Sequence, residues 1–253
     1  MLVMAGATEV DSRRLRQWAQ VAGKLAHGMK NPLATILGSI QLIELKPDDA
    51  TVKEYAGYIR DEVTRLRRMA DAFTRFTRLG PPVLKPQDVN GLVRSVLAGR
   101  EGQLGDGIEL QVRLARHLPP VMADPEALGT ALNSVIDNAL EAMTAKGIKD
   151  TGRGRHEPNR LTMRTRRIPS GATARIEVSD TGPGIPREYV DKAFEPFFVL
   201  NKELGAGLGL TLAKMIVEDH GGKIALQSSE GQGTTVTIDL PVGREPGMTG
   251  ARD

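Results

Sequence analysis

The sequence predicts an α+β protein in two parts. An N-terminal αα-hairpin forming a dimeric four-helix bundle is followed by an α/β sandwich with a mixed sheet. In residues 12–80 apolar side chains recur in steps of three and four, as in helices. In residues 89–242 helical patterns alternate with strand-like runs. We expect residues 1–11 to be disordered or a linker, 81–88 to be a linker and 243–253 to be a disordered tail.

Composition limits the kind of protein this is. The 253 residues include no cysteine, which excludes disulfides and thiolate metal sites. No apolar run approaches the roughly 20 residues that a membrane span needs, so we expect a cytoplasmic protein with no span in this chain. The net charge of +3 does not require nucleic acid, and no aromatic interleaving accompanies the basic residues, so no nucleic-acid partner is predicted.

Two helices are predicted in the first part. Apolar residues recur at positions 15, 18, 22, 25, 29, 33, 36, 40 and 43, after a capping Asp11 or Ser12. Beyond the break at Pro47, a second stripe recurs at 52, 55, 59, 66, 69, 73 and 76, interrupted only by Glu62. Each stripe has the narrow period of a coiled-coil seam, and a lone hairpin buries only one seam. A homodimer is therefore the simplest arrangement.

The second part contains the elements of the predicted sandwich. Helical patterns occupy residues 89–99, 125–143 and 210–220. Strand-like runs occupy residues 107–114, 160–168, 174–180, 222–229 and 234–242. The last two runs are consecutive, so the sheet is predicted to be mixed.

His27 is the most unusual residue of the first helix. In the heptad register of the stripe it falls at f, the most exposed position, so a buried structural histidine is disfavoured. No His, Asp or Glu lies one turn away on either side, which disfavours a metal site. An ordinary surface histidine and a reactive imidazole remain. Because Pro32 removes a hydrogen bond to the Gly28 carbonyl, the helix should bend or loosen just after His27.

Two glycine loops in the second part are typical of phosphate binding. DTGPGIP, from Asp180 to Pro186, directly follows a strand, and GAGLGL, from Gly205 to Leu210, opens a helix. Glycines before a helix let backbone N–H groups approach phosphate oxygens. Either loop alone could be a flexible turn. Together with NALEAM on an earlier helix and FEPFF between the loops, they indicate a nucleotide site.

These segments, in this order, resemble the core of the two-component sensor histidine kinases. HGMKNPL resembles the phosphoacceptor box, LNSVIDNALEAM the asparagine box, DTGPGIP and GAGLGL the two glycine boxes, and FEPFF the phenylalanine box. The resemblance covers about 230 residues. NALEAM, with no lysine–tyrosine pair after it, resembles the nitrogen-regulatory subgroup. The resemblance implies a GHKL or Bergerat-like ATP-binding fold for the second part.

What the resemblance implies is an ATP-dependent protein-histidine autokinase that uses Mg²⁺. His27 would accept the γ-phosphate and pass it to an aspartate in the receiver domain of a response regulator. Asn138 would ligate the magnesium. Asp180 would accept a hydrogen bond from the adenine amino group, in a pocket shaped by Gly182 and Gly184.

Further nucleotide contacts are implied in a lid and in the last strand. Residues 195–207 would form a mobile ATP lid with two glycine hinges and a lysine at the γ-phosphate. A threonine of the last strand would lie beside the adenine. The residues in this set are Lys202, Gly205, Gly207, Leu208, Gly209 and Thr235.

Three positions bear on the reaction. ATPases with the same nucleotide fold, such as DNA gyrase, carry a glutamate general base four residues before the magnesium asparagine. Here that residue is Ser134, which favours transfer to histidine over hydrolysis. The family usually has an acidic residue directly after the phosphoacceptor, whereas this chain has Gly28. Asn31 matches the family residue that orients water for phosphatase activity.

Gly28 leaves alternatives open. Glu44, Glu62 or water could accept the imidazole proton in place of the missing acid. Alternatively, the protein is a nucleotide-binding signalling scaffold, or a phosphatase-biased protein with weak kinase activity. Residues 11–80 carry 13 Lys/Arg against 8 Asp/Glu. This excess is either a solvated bundle surface or a docking face for an acidic receiver domain.

Overall fold

The structure is a computed structural model that describes residues 2–77, 80–100, 107–144, 159–168, 173–200 and 205–242. Its helices and strands are, in chain order, α1 (Leu2–Leu45), α2 (Asp49–Thr77), β1 (Lys85–Gln87), α3 (Val89–Ala98), β2 (Ile108–Arg113), β3 (Val121–Ala123), α4 (Pro125–Thr144), β4 (Asn159–Ile168), β5 (Thr173–Asp180), α5 (Arg187–Val190), α6 (Gly209–Asp219), β6 (Lys223–Ser229) and β7 (Gly233–Pro241). The predicted fold class, a helical hairpin followed by an α/β sandwich, is confirmed.

The chain divides into two units. One comprises Met1–Arg78 together with Glu195–Leu208, and the other comprises Leu79–Phe194 together with Gly209–Asp253. The predicted tail, 243–253, lies outside the described residues.

The two long helices α1 and α2 form the hairpin. Helix α1 is already helical at Leu2, unlike the predicted disordered or linker segment 1–11. That segment consists mostly of acceptable helix formers and contains no proline, so nothing in it ends the helix. The helix is continuous through Pro32. Among the described residues, no helix is both long and apolar enough to cross a bilayer.

The connection between α1 and α2 is short and is closed by Asp48. One carboxylate oxygen, Oδ1, accepts from the Thr51 N–H at 2.9 Å, and the other, Oδ2, accepts from the Thr51 hydroxyl at 2.9 Å. These bonds lower the pKa of Asp48, and the backbone bond is the larger cause. A side chain of this type satisfies an N–H at the start of α2 that has no partner within the helix.

A single hairpin leaves part of its apolar stripe uncovered. Val21, Met69 and Ala72 are buried. Leu33 and Ile40, both on the predicted seam, are 51% and 40% exposed. One chain therefore does not bury the seam that its sequence encodes.

The second unit is built on a five-stranded open sheet in the order β2-β4-β5-β7-β6. Strands β2 and β4 are parallel and the other neighbours are antiparallel, so the predicted mixed sheet is confirmed. Side chains alternate between the two faces of a strand. On one face they are buried and apolar: Leu161, Met163, Ile176, Val178, Val236, Ile238 and Leu240. Helices α4 and α6 bury the side chains Leu128, Leu132, Ile136, Leu212 and Ile216.

Two short strands, β1 and β3, pair antiparallel as a separate sheet. Strand β1 falls within the predicted linker 81–88, because its three residues carry too little pattern to indicate a strand. Next to β3, buried His220 joins the end of α6 to the start of α4. Its Nε2 accepts from the Asp124 N–H at 3.0 Å, so Nδ1 carries the proton and donates to the Ile216 carbonyl at 2.7 Å.

Asp124 caps α4, and its carboxylate should make the stability of the fold depend on pH. Its carboxylate accepts from the N–H groups of Val83, Glu126 and Ala127 at 2.9, 3.0 and 3.1 Å. The Val83 bond is the largest cause of the lowered pKa of Asp124, and the backbone bonds from Ala127 and Glu126 add to it. A carboxyl whose pKa is depressed on folding stabilises the protein above its unfolded pKa, and this stability is lost as pH falls through the folded pKa.

We therefore expect Asp124→Asn to lower the free energy of unfolding by about 1 kcal/mol near neutral pH. Asparagine still caps the helix but cannot take all the acceptor bonds of the carboxylate. The difference between the two proteins should begin to shrink below the ordinary carboxyl pKa of about 4 and disappear as pH falls through the lowered pKa of the folded protein. Urea unfolding between pH 7 and about pH 2.5 measures this difference. A constant difference over this range would contradict the account.

Candidate functional site

His27 is exposed on α1, as its heptad position predicts. Asn31 is also exposed, and residues four apart on a helix lie on the same face. The Asn31 carbonyl accepts from the Thr35 hydroxyl at 3.2 Å, so the main chain is occupied there. The exposed Asn31 side chain lies on the same face of α1 as the imidazole.

The first unit places the segment that begins at Glu195 beside the turn of His27. Lys24 Nζ lies 2.7 Å from Glu195 Oε2. A Cβ built on Gly28 would lie 4.0 Å from Phe197 Cγ and 3.0 Å from Met69 Cε. Position 28 is therefore a close-packed site whose nearest neighbour is the movable end of a methionine side chain.

Asp180 occupies the end of β5, as the sequence predicts. Its side chain is buried, and the residue is only 8% exposed. Its Oδ1 accepts from the Gly182 N–H at 2.8 Å and from the Thr234 N–H at 3.2 Å. Two backbone donors therefore fix the orientation of the carboxylate, as a recognition group for a base requires.

The first glycine loop is held by close backbone approaches. A Cβ on Gly182 would lie 3.0 Å from Asp180 Oδ1 and 3.4 Å from the Cβ of Ala142. Gly184 has a φ of +71°, and a Cβ there would be 2.1 Å from the Ser229 carbonyl oxygen. A side chain at Gly182 would crowd the Asp180 carboxylate and Ala142, and one at Gly184 would displace either the loop or the strand behind it.

Helix α4 brings Asn138 to the face that meets this loop. Asn138 is half-buried, and Ala142, four residues later, is the residue that approaches Gly182. At the other side of α4, Gly209 starts α6, and a Cβ there would lie 3.6 Å from the Ser134 carbonyl oxygen. That distance is an ordinary van der Waals contact, so the start of α6 packs against α4 at Ser134.

The chemistry of Asn138 suits a magnesium ion that is held partly by phosphates. No group of three or more His, Cys, Asp or Glu in the described part of the chain could hold a metal ion. Mg²⁺ is commonly bound through one or two protein oxygens, with substrate phosphates and waters completing the shell. A single half-buried amide oxygen fits that pattern. The residues present are thus compatible with Mg²⁺ that arrives with ATP.

The second glycine box has an unusual backbone. Gly205 and Gly207 have positive φ values of 45° and 69°, and Phe197 is the single non-glycine residue with positive φ, at 63°, among the described residues. The Phe197 N–H donates to the Gly207 carbonyl at 2.8 Å. Leu208 is 3% exposed. Lys202 lies outside the described residues.

The structure does not bring Thr235 to the Asp180 cluster. The Thr235 hydroxyl lies 2.8 Å from the Ser179 hydroxyl, on the face of the sheet opposite to the helices. Thr234 is the residue beside Asp180, and it is buried. Sequence reasoning missed it, although the alternation of β7 contains the signal. Thr234 shares its parity with the apolar residues Val236, Ile238 and Leu240.

Comparison with known proteins identifies the family. Residues 17–82 match the His Kinase A (phospho-acceptor) domain, and residues 123–244 match the Histidine kinase-, DNA gyrase B-, and HSP90-like ATPase family. The Sensory histidine kinase/phosphatase NtrB of Salmonella typhimurium is 31% identical over 247 residues, which cover 96% of this chain and 69% of that protein. The chain belongs to the sensor histidine kinases.

Solved structures of histidine kinases share the fold. The Mycobacterial sensor histidine kinase MprB is 28% identical with a TM-score of 0.51, covering 63% of this chain and 97% of that one. The histidine kinase ThkA, solved in complex with the response regulator protein TrrA, has a TM-score of 0.62 at 24% identity. That match covers 92% of this chain and 64% of the solved one.

This histidine kinase is thus a transferase that binds ATP and phosphorylates protein histidine in two-component signalling. The prediction of an autokinase is confirmed by the two matched domains and the kinase relatives. The alternative of a nucleotide-binding scaffold or a phosphatase-biased protein is not favoured. The nitrogen-regulatory resemblance also agrees with the NtrB match.

Proposed function

We propose that His27 is the phosphoacceptor of this kinase. The observation that carries the proposal is an exposed imidazole on α1 within the segment that matches the phosphoacceptor domain. A lone pair on one ring nitrogen would attack the γ-phosphorus of ATP. The bond from that phosphorus to the oxygen bridging to the β-phosphorus would break, and ADP would leave.

The proton that the imidazole loses needs an acceptor. Gly28 has no side chain that could accept this proton. The carboxylate of Glu62 is only partly exposed, and its Oε2 lies 3.7 Å from Arg65 Nη1, with which it forms an ion pair. Because His27 is exposed, water is the acceptor that this geometry favours. A solvent acceptor provides less rate than a positioned carboxylate, so autophosphorylation should be slow.

The second unit would hold the nucleotide. Asp180, fixed by two backbone N–H groups, would accept from the adenine amino group. Gly182 and Gly184 would keep that pocket open, and Thr234, rather than Thr235, would lie beside it. Bound through Asn138 and the phosphates, Mg²⁺ would neutralise charge during transfer.

Lid and hinge roles remain part of the proposal. Residues 195–207 would close over the triphosphate, with Lys202 at the γ-phosphate. The positive-φ residues Gly205 and Gly207 are suited to be its hinges, because glycine changes backbone conformation at little steric cost. Leu208 and Gly209 would connect the lid to α6.

Dimerisation and partner transfer complete the proposed function. The exposed residues Leu33, Leu37 and Ile40 would be covered in a homodimeric four-helix bundle. The basic hairpin would dock the acidic receiver domain of a response regulator, the class of partner seen with ThkA. Asn31 would orient water for removal of phosphate from that regulator. The reaction would take place in the cytoplasm, which supplies ATP.

Labelling with γ-³²P ATP tests the proposal. Wild type should acquire an acid-labile, base-stable label, and His27→Gln should bind ATP like wild type but acquire none. Asp180→Asn should bind ATP about 10-fold more weakly, because it replaces a charged acceptor. A label on His27→Gln equal to that of wild type would refute His27 as the acceptor.

A further inference from the structure

Arg100, just after α3, is one of few buried charged residues in the described part of the chain, being 7% exposed. Its guanidinium reaches α4 with three hydrogen bonds. Nε donates to Asn133 Oδ1 at 2.7 Å, Nη1 donates to Asp137 Oδ1 at 2.7 Å, and a second bond to Asn133 runs from Nη2 to the main-chain oxygen at 3.3 Å. The contact is thus a multidentate clamp.

The two residues that Arg100 holds are one helical turn apart. Asn133 and Asp137 stand at positions i and i+4 on α4, and Asn138 follows directly. A planar guanidinium fixes the direction of each hydrogen bond, which a flexible ammonium does not. The clamp therefore restrains the rotation and the spacing of the turn that ends at Asn138.

Arg100 also compensates a charge. The Asp137 side chain is 55% exposed and adjoins Asn138 in sequence. Arg100 Nη1 lies 2.7 Å from Asp137 Oδ1 and offsets that negative charge one residue before Asn138. Removing the arginine alone would leave Asp137 without this compensation.

We propose that Arg100 is a positioning residue that presents Asn138 to the magnesium of bound ATP. The proposal rests on the proposed role of Asn138. A clamp that served only as a strap between α3 and α4 would change the free energy of unfolding alone. A positioning residue changes, in addition, the affinity that Mg²⁺ adds to nucleotide binding. Arg100 would do so through the helical turn that it holds and not by a bond to Asn138, so we expect an effect of about 10-fold, the lower end of what partners of metal ligands contribute.

The test compares ATP affinity in Mg²⁺ and in EDTA, together with urea unfolding. In Arg100→Gln, the increase in ATP affinity that Mg²⁺ produces should be about 10-fold smaller than in wild type. The ATP affinity in EDTA should stay within about 2-fold of wild type. Asp137→Asn weakens only one of the three hydrogen bonds, so the increase in ATP affinity that Mg²⁺ produces should be about 3-fold smaller than in wild type. This variant provides the test if Arg100→Gln does not fold.

Arg175→Gln is the matched control. Arg175 makes two 2.6 Å bonds to Asp239, in the same unit but on the opposite face of the sheet. The Arg175→Gln variant should have a lower free energy of unfolding, but Mg²⁺ should raise its ATP affinity as much as in wild type. If Arg100→Gln and Asp137→Asn keep that gain as well, the proposal is overturned while the kinase function stands. If Asn138→Ala keeps the gain, the role of Asn138 fails and the proposal fails with it.

Discussion

Gly28→Glu will raise the rate of autophosphorylation about 100-fold, the lower end of what a positioned general base contributes. The glutamate would take the imidazole proton that wild type releases to water. The substitution requires the end of the buried Met69 side chain to shift by a few tenths of an ångström, because its Cε would lie 3.0 Å from a new Cβ. Replacing glycine within a helix also favours folding by up to about 1 kcal/mol. Single-turnover labelling with saturating Mg²⁺ and ATP measures the rate.

Gly28→Gln is the control for this prediction. Glutamine has nearly the same shape and helix propensity as glutamate but cannot act as a base at neutral pH. Its rate should stay within a few-fold of wild type. Equal acceleration by glutamine would show that helix order, and not proton transfer, limits the reaction. No acceleration by glutamate would refute the idea that a missing base makes the kinase slow.

Gly233→Ala will destabilise the second unit by about 4 kcal/mol or more and remove ATP binding. Gly233 has a φ of +95°, and a Cβ there would lie 2.1 Å from the Asp180 carbonyl oxygen and 3.0 Å from Thr181 Cα. Both neighbours are main-chain atoms, so relief requires β5 and β7 to separate. That separation would break the bond from the Thr234 N–H that orients the Asp180 carboxylate.

Gly221→Ala separates the clash from the backbone strain. Gly221 also has a positive φ, +68°, but the nearest atom to its new Cβ is Pro241 Cγ at 3.8 Å. It should therefore cost only the 1–2 kcal/mol or so of an L-residue in the left-handed region. Urea unfolding gives both values, and ATP titration should show normal binding for Gly221→Ala. Equal destabilisation of the two variants would contradict the close approach at Gly233.

Periodicity was sufficient to predict the five-stranded mixed sheet and the hairpin. Each of those strands has at least six residues, long enough to show alternation, and Asp180 follows from the end of one of them. Strand β1 has three residues and depends on a partner more than 30 residues away, so no local pattern reveals it. Helix α1 runs through Asp11 and Ser12, which were predicted to cap its start, and extends to Leu2 because no stop signal precedes its apolar stripe.

Side chains that act through distant partners were harder to predict. Arg100 pairs with Asn133 and Asp137, more than 30 residues later, and a lone arginine after a glycine has no local signature. To choose Thr234 over Thr235 as the residue beside Asp180, one must know which side chains of β7 face the core. The resemblance alone did not provide this. Position 28 shows the opposite case. The resemblance to the phosphoacceptor box already identified Gly28 as a departure from the family, and the structure adds its packing against Met69.

The measurement that tests the central claim most directly is the location of the phosphate. Trypsin cleaves after Lys24 and Lys30 and releases the peptide LAHGMK, which contains His27 but no serine, threonine or tyrosine. After incubation with Mg²⁺ and ATP, mass spectrometry at neutral pH should find the phosphate on this peptide, and it should be absent without ATP. Phosphate on another peptide, or on none in both wild type and Gly28→Glu, would contradict transfer to His27.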